Sequence, residues 1–129
     1  VRLPAHLTAS GRSMLALLPT SQFRATYPGG GSTSLTRRTD AGPANLTELT
    51  ALLKAERVQG FSTEHGAVTA DYGSVAAAAT NHLGLPVAAF AVTFRTDRLT
   101  STGLSGLETH IAGLVQTAAH DLGRRLGAK

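Results

Sequence analysis

The side chains able to do chemistry in this sequence are few, and they suit binding better than reaction. Glu64 stands beside His65 and Gly66, Tyr72 and Ser74 flank Gly73, and Ala91 and Thr93 lie in the apolar run Val87–Phe94. Near the start of the chain, Ala9, Ser10 and Gly11 follow Thr8. A carboxylate accepts hydrogen bonds, and a hydroxyl both donates and accepts. The bare N–H groups at a slim helix start favour an anion such as a carboxylate. Small residues there also serve plain close packing on a sheet, and the residues alone leave both uses open. The default reading of Glu64 is a surface carboxylate. Tyr72 would either line a pocket with its ring or cap the core.

Catalytic constellations are scarce. There is no Gly-x-Ser-x-Gly elbow and no His-Glu-x-x-His, and with no cysteine a thiolate nucleophile is excluded. Glu64 and Asp71 do not form an acid–base pair that spacing can establish. The five histidines are scattered. At roughly 100° and 1.5 Å per residue, His110 and His120 stand about 80° and about 15 Å apart on one helix. His6 and His65 could meet near Glu64, where a metal is conceivable. Structural or solvated histidines are commoner, so neither metal nor cofactor is expected. These residues carry no enzyme signature.

Two strands and a helix must position the binding groups. Residues 73–94 hold two apolar runs, Ser74–Ala79 and Val87–Phe94, around the turn-rich stretch Asn81–Pro86, the pattern of an antiparallel hairpin. Side chains alternate between faces along a strand. One row, Ala88, Phe90, Val92 and Phe94, is bulky and fit for a core. The opposite row, Val87, Ala89, Ala91 and Thr93, is small, and Ser74, Ala76 and Ala78 can share its face. Such a floor leaves volume that folded interiors do not waste, so either a helix packs close on it or a small molecule sits there.

The rest of the chain fits an α+β domain with an antiparallel sheet. A helix is expected over Thr8–Leu18, with Thr8 as its N-cap, and a short one over Ser21–Tyr27, stopped by Pro28 and three glycines. That glycine run is no phosphate loop, because no Gly-Lys-Ser/Thr follows. Asn45 and Glu48 match a capping box for a helix stopped by Gly60. Phe61–Glu64 should be a strand and Val68–Tyr72 a second extended piece. Leu104, Leu107, Ile111, Leu114, Val115, Ala118, Leu122 and Leu126 recur at spacings of three and four, marking a C-terminal amphipathic helix.

Composition narrows the partners. A chain of 129 residues suits one domain with a real core. The absence of cysteine fits a reducing cytoplasm. No apolar run approaches the roughly 20 residues a membrane span needs, so no membrane partner is expected. Net charge is +4, but the basic residues are dispersed, and four Phe, two Tyr and no Trp offer little for base stacking. The surplus reads as a solvated surface.

Five ordered stretches resemble one known family. Leu3-Pro4-Ala5-His6-Leu7-Thr8-Ala9-Ser10-Gly11-Arg12 is similar to the Leu-Pro-x-His-x-Thr-Ala-x-Gly-(Lys/Arg) motif in the effector domain of isocitrate-lyase-regulator (IclR) type transcription factors. Arg38-Thr39 with Gly42-Pro43, the segment Arg57–Glu64, Ser74–Ala77 and Gly84–Ala89 resemble further family motifs in the same order. The resemblance covers nearly the whole chain. It implies a GAF-like fold, a curved antiparallel sheet flanked by helices with a ligand pocket on one face.

By that resemblance, the ligand carboxylate would sit at Ala9, Ser10 and Gly11, and Leu3 would form an apolar wall. Glu64, Tyr72, Ser74, Ala91 and Thr93 would complete the pocket. The implied function is effector binding and oligomerisation in a transcriptional regulator, with a small organic acid modulating operator affinity and a homodimer or tetramer as the assembly. Family members also carry a winged helix-turn-helix and further strands before the first motif. The chain is therefore expected to be an effector-domain fragment whose operator DNA contact requires the absent N-terminal domain. Missing strands would leave an unpaired sheet edge. Two other classes stay in play: an enzyme of small organic acids, and a pure interaction module with its floor filled by protein side chains.

Overall fold

Alternation along two strands decides the architecture. The computed structural model describes residues 2–128. β2 (Tyr72–Thr80) is the middle of a three-stranded antiparallel sheet, between β1 (Ser62–His65) and β3 (Pro86–Arg95). Val75, Ala77 and Ala79 point to one face of β2 and are buried against Ile111, Ala112, Val115 and Ala119 of α4 (Ser101–Arg125). α1 (Ala9–Leu15) lies against the opposite face. A second apolar cluster joins Leu15 and Ala16 to Leu46, Leu49 and Leu53 of α3 (Leu46–Gln59). α2 (Thr20–Thr26) has no buried residue, but its partly buried Phe23 packs against this cluster. The result is the expected α+β fold, a small antiparallel sheet flanked by helices.

The local signals for helix ends largely hold. Thr8 Oγ1 accepts from the Gly11 N–H at 3.0 Å, so Thr8 is the N-cap of α1. Asn45 Oδ1 accepts from the Glu48 N–H at 2.9 Å. The reciprocal bond differs from a strict capping box, because Glu48 Oε1 reaches the Ala44 N–H, one residue before the cap. Gly60 closes α3 at φ 88°, a conformation that favours glycine. In the hairpin loop, Asn81 Oδ1 accepts from the N–H groups of Leu83 and Leu85, fixing the turn.

Several expectations need correction. α1 ends at Leu15, and the chain reaches Pro19 through a turn rather than continuing helically to Leu18. β1 runs one residue later than expected, and Val68–Asp71 is a turn rather than an extended piece. Asp71 there adopts φ 66°, a left-handed value rare outside glycine. The bulky row of β3 is only partly core. Phe94 packs against the α4 cluster, but Phe90 and Val92 are 38% and 39% exposed. β3 is an edge strand, and the buried face of α4 lies mainly over the central β2. Leu114, within the α4 stripe, is likewise exposed.

A buried ion pair ties the two helical layers to the sheet. Arg12 Nε donates to Glu56 Oε1 at 3.0 Å, and a second guanidinium nitrogen reaches Oε2 at 3.4 Å. The same nitrogen donates to the Thr63 carbonyl, while the Thr63 N–H donates to Glu56 Oε2 at 3.1 Å. α1, α3 and β1 therefore meet at one charged cluster, which fixes where α1 starts relative to the sheet.

Candidate ligand-binding site

The register of the sheet builds a polar row. Glu64 pairs with Ser74, and Ser74 with Thr93, so three polar side chains follow one another across the strands on the α1 face. One step along, Ser62, Ala76 and Ala91 form a row of small side chains. The expected parity is present: Tyr72 and Ser74 share a face with Ala91 and Thr93. The small-residue floor is divided between a packed helix and open space. α1 covers the floor at Ala76, which is fully buried, and a cavity opens at the Ser74–Thr93 end.

That cavity has a volume of about 510 Å³, within the range of small-molecule sites. Leu3, Ala9 and Ser10 line it from the α1 side, and Glu64, Tyr72 and Ser74 from β1 and β2. Ala91 and Thr93 complete the floor from β3. Gly11 is the one residue of the expected set that lies outside the lining. Its N–H is taken by Thr8, and a Cβ there would come within 2.4 Å of the Ala5 carbonyl oxygen. Its smallness serves backbone packing. Gly11→Ala is expected to cost about 1–3 kcal/mol of stability by overpacking, readable as a lowered midpoint in chemical denaturation.

Three lining residues escaped the sequence reading: Thr8, Val68 and Thr69. Thr8 was legible only as a cap. Val68 and Thr69 were read as part of an extended piece, although Gly66 and Asp71, both at positive φ, bracket them as a loop beside the sheet. The Gly66 N–H donates to the Tyr72 carbonyl at 2.8 Å, closing that loop.

The polar geometry is specific. Glu64 is 6% exposed, which overturns its reading as a surface carboxylate, and its Oε2 accepts from the Ala67 N–H at 2.9 Å. Ser74 Oγ and Thr93 Oγ1 lie 2.9 Å apart in hydrogen-bond contact. The N–H groups of Ala9 and Ser10 precede the first intrahelical donor and have no partner among the described residues. No Lys, Arg or His lines the cavity among the described residues. Arg95, opposite Tyr72 in the register, lies over its ring at 5.9 Å and is held by Asp97 at 2.5 Å. That hydrogen bond lowers the Asp97 carboxyl below its ordinary pKa and raises Arg95 further.

The histidines do not gather at the site. His6 is buried, and its Nε2 donates to the Thr36 carbonyl at 2.7 Å, leaving Nδ1 toward the Tyr27 hydroxyl. His65 lies on the α4 side and pairs with Glu108. The two therefore do not meet near Glu64. A groove of about 530 Å³ also runs between α2 and α3, but its walls are mostly hydrocarbon and hold no buried polar side chain that could orient a ligand.

Among the described residues no helix is long and apolar enough to cross a membrane. No curated protein matches the sequence. Solved structures do share the fold. The Agrobacterium tumefaciens repressor BlcR is 23% identical with a TM-score of 0.81, over 98% of this chain and 49% of that one. The Thermotoga maritima IclR is 20% identical with a TM-score of 0.86, over the same shares. An Acinetobacter PobR inducer-binding domain, a double mutant in complex with 3-hydroxybenzoic acid, is 22% identical with a TM-score of 0.76, over 95% of this chain and 68% of that one. The chain thus spans about half the length of the first two. The family model for the bacterial transcriptional regulator IclR C-terminal region matches residues 1–124, and with the sheet, helices and cavity described above the chain belongs to that family.

Proposed function

We propose that this domain is the sensor of a transcriptional regulator, binding a small organic acid in the cavity between α1 and the sheet. The observation that carries the reading is a cavity of about 510 Å³ with a largely apolar lining and a few converging polar groups, the usual composition of a small-molecule site. The ligand carboxylate takes the free N–H groups of Ala9 and Ser10. Ser74, Thr93 and Glu64 satisfy its remaining polar groups, and Leu3, Tyr72 and Ala91 enclose its apolar body. The PobR inducer-binding domain, of the same fold, is described as a complex with 3-hydroxybenzoic acid, which supports an acid of that size.

Regulation then follows from differential binding. An effector that favours one arrangement of a homodimer or tetramer shifts operator affinity by the difference in its binding energies, with DNA contacted by a separate domain of the regulator. A thermal-shift screen of small carboxylates tests the reading. Saturating the cavity at about 100 times Kd should add about 2.7 kcal/mol of stability, without turnover of the compound. Conversion of the stabilising compound would favour an enzyme instead. Failure of every carboxylate to raise the melting temperature would remove the sensor assignment.

A further inference from the structure

We infer that the effector presents a hydrogen-bond donor, a hydroxyl or an ammonium, at the end that meets Glu64; this rests on the sensor reading above. Glu64 is nine-tenths buried and lines the cavity, yet only one of its oxygens is engaged, by the Ala67 N–H. The other, Oε1, has no hydrogen-bond partner among the described residues. It is not sealed in the protein either. Among the described residues the only fully enclosed side-chain polar atom without a partner is Ser62 Oγ, so Oε1 keeps some exposure, on a residue that lines the cavity.

A carboxylate withdrawn from water and left half-satisfied is costly, and charge-assisted donors are its best partners. The walls do not supply one. Among the described residues no cation lines the cavity, and no lining hydroxyl is in hydrogen-bond contact with Oε1; those of Ser74 and Thr93 bond each other instead. A ligand whose end can only accept, such as an ether or a second carboxylate, would set lone pairs against lone pairs. An apolar end would strip Glu64 of water and return nothing. A hydroxyl or an ammonium meets the unfilled acceptor directly, and the remaining polar row accommodates it.

Titration calorimetry on the full chain with four matched probes tests this: benzoate, 3-methoxybenzoate, 3-hydroxybenzoate and 3-(aminomethyl)benzoate. The hydroxyl and ammonium probes should bind at least about tenfold tighter than benzoate and the methoxy compound. Whichever of the two binds tighter identifies the donor. Glu64→Gln should erase the advantage of the ammonium probe by about tenfold, since the amide keeps the Ala67 bond but loses the charge. Benzoate or its methoxy derivative binding as tightly as the donor probes would overturn the inference while leaving the sensor reading standing. An unchanged ranking in Glu64→Gln would overturn it equally. Absence of binding by all four would count against the sensor reading itself, and this inference would go with it.

Discussion

Glu56→Ala is expected to remove about 3–5 kcal/mol of folding stability, because it leaves the Arg12 guanidinium buried without its counter-ion. Both side chains of the pair are 3% exposed, so solvent cannot take over the lost contact. The Thr63 N–H, which donates to Glu56 Oε2, is orphaned at the same time. Set against the total stability of about 5–15 kcal/mol usual for a domain, that loss is a large share of the whole. The paired change Arg12→Met with Glu56→Leu should cost clearly less than Glu56→Ala alone, since it removes the stranded charge along with its partner. Urea denaturation of the single and paired variants reads the difference. If Glu56→Ala shifts the midpoint no more than a surface substitution does, the cluster is not what fixes α1 against the sheet.

The second large effect concerns the cavity. Ser10→Leu projects a branched hydrocarbon into the space between α1 and the floor, and should abolish effector binding by exclusion. Thr93→Val keeps the shape but deletes the hydroxyl that contacts Ser74, and should weaken binding by about tenfold, as for a lost hydrogen bond. Thr93 is exposed to the cavity, so its variant should fold normally, within about 0.5 kcal/mol of the parent. Calorimetry with a carboxylate identified by the thermal-shift screen decides the matter. Unchanged affinity in both variants would place the ligand elsewhere.

Part of the molecule is written locally in its residues. The caps at Thr8 and Asn45, the stop at Gly60 and the hairpin turn at Asn81 rest on interactions spanning a few residues, and the chemistry of those side chains suffices to place them. Period-two alternation likewise put Tyr72 with Ser74 and Ala91 with Thr93 on shared faces, because a strand allows no other arrangement of neighbouring side chains. The family motifs went further, picking out eight residues that line one cavity.

Other features exist only once distant segments meet. Arg12 and Glu56 are 44 residues apart, and no local pattern marks them as partners. By residue type alone Glu64 was indistinguishable from a surface carboxylate, and its burial exists only in the folded chain. Phe90 and Val92 alternate as core residues should, yet exposure depends on what lies over the strand, and α4 covers β2 while reaching β3 only in part, at Phe94. Local structure follows from steric and hydrogen-bonding rules acting between near neighbours. Burial, charge pairing and cavity volume follow from which surfaces pack together, and this only the tertiary structure decided.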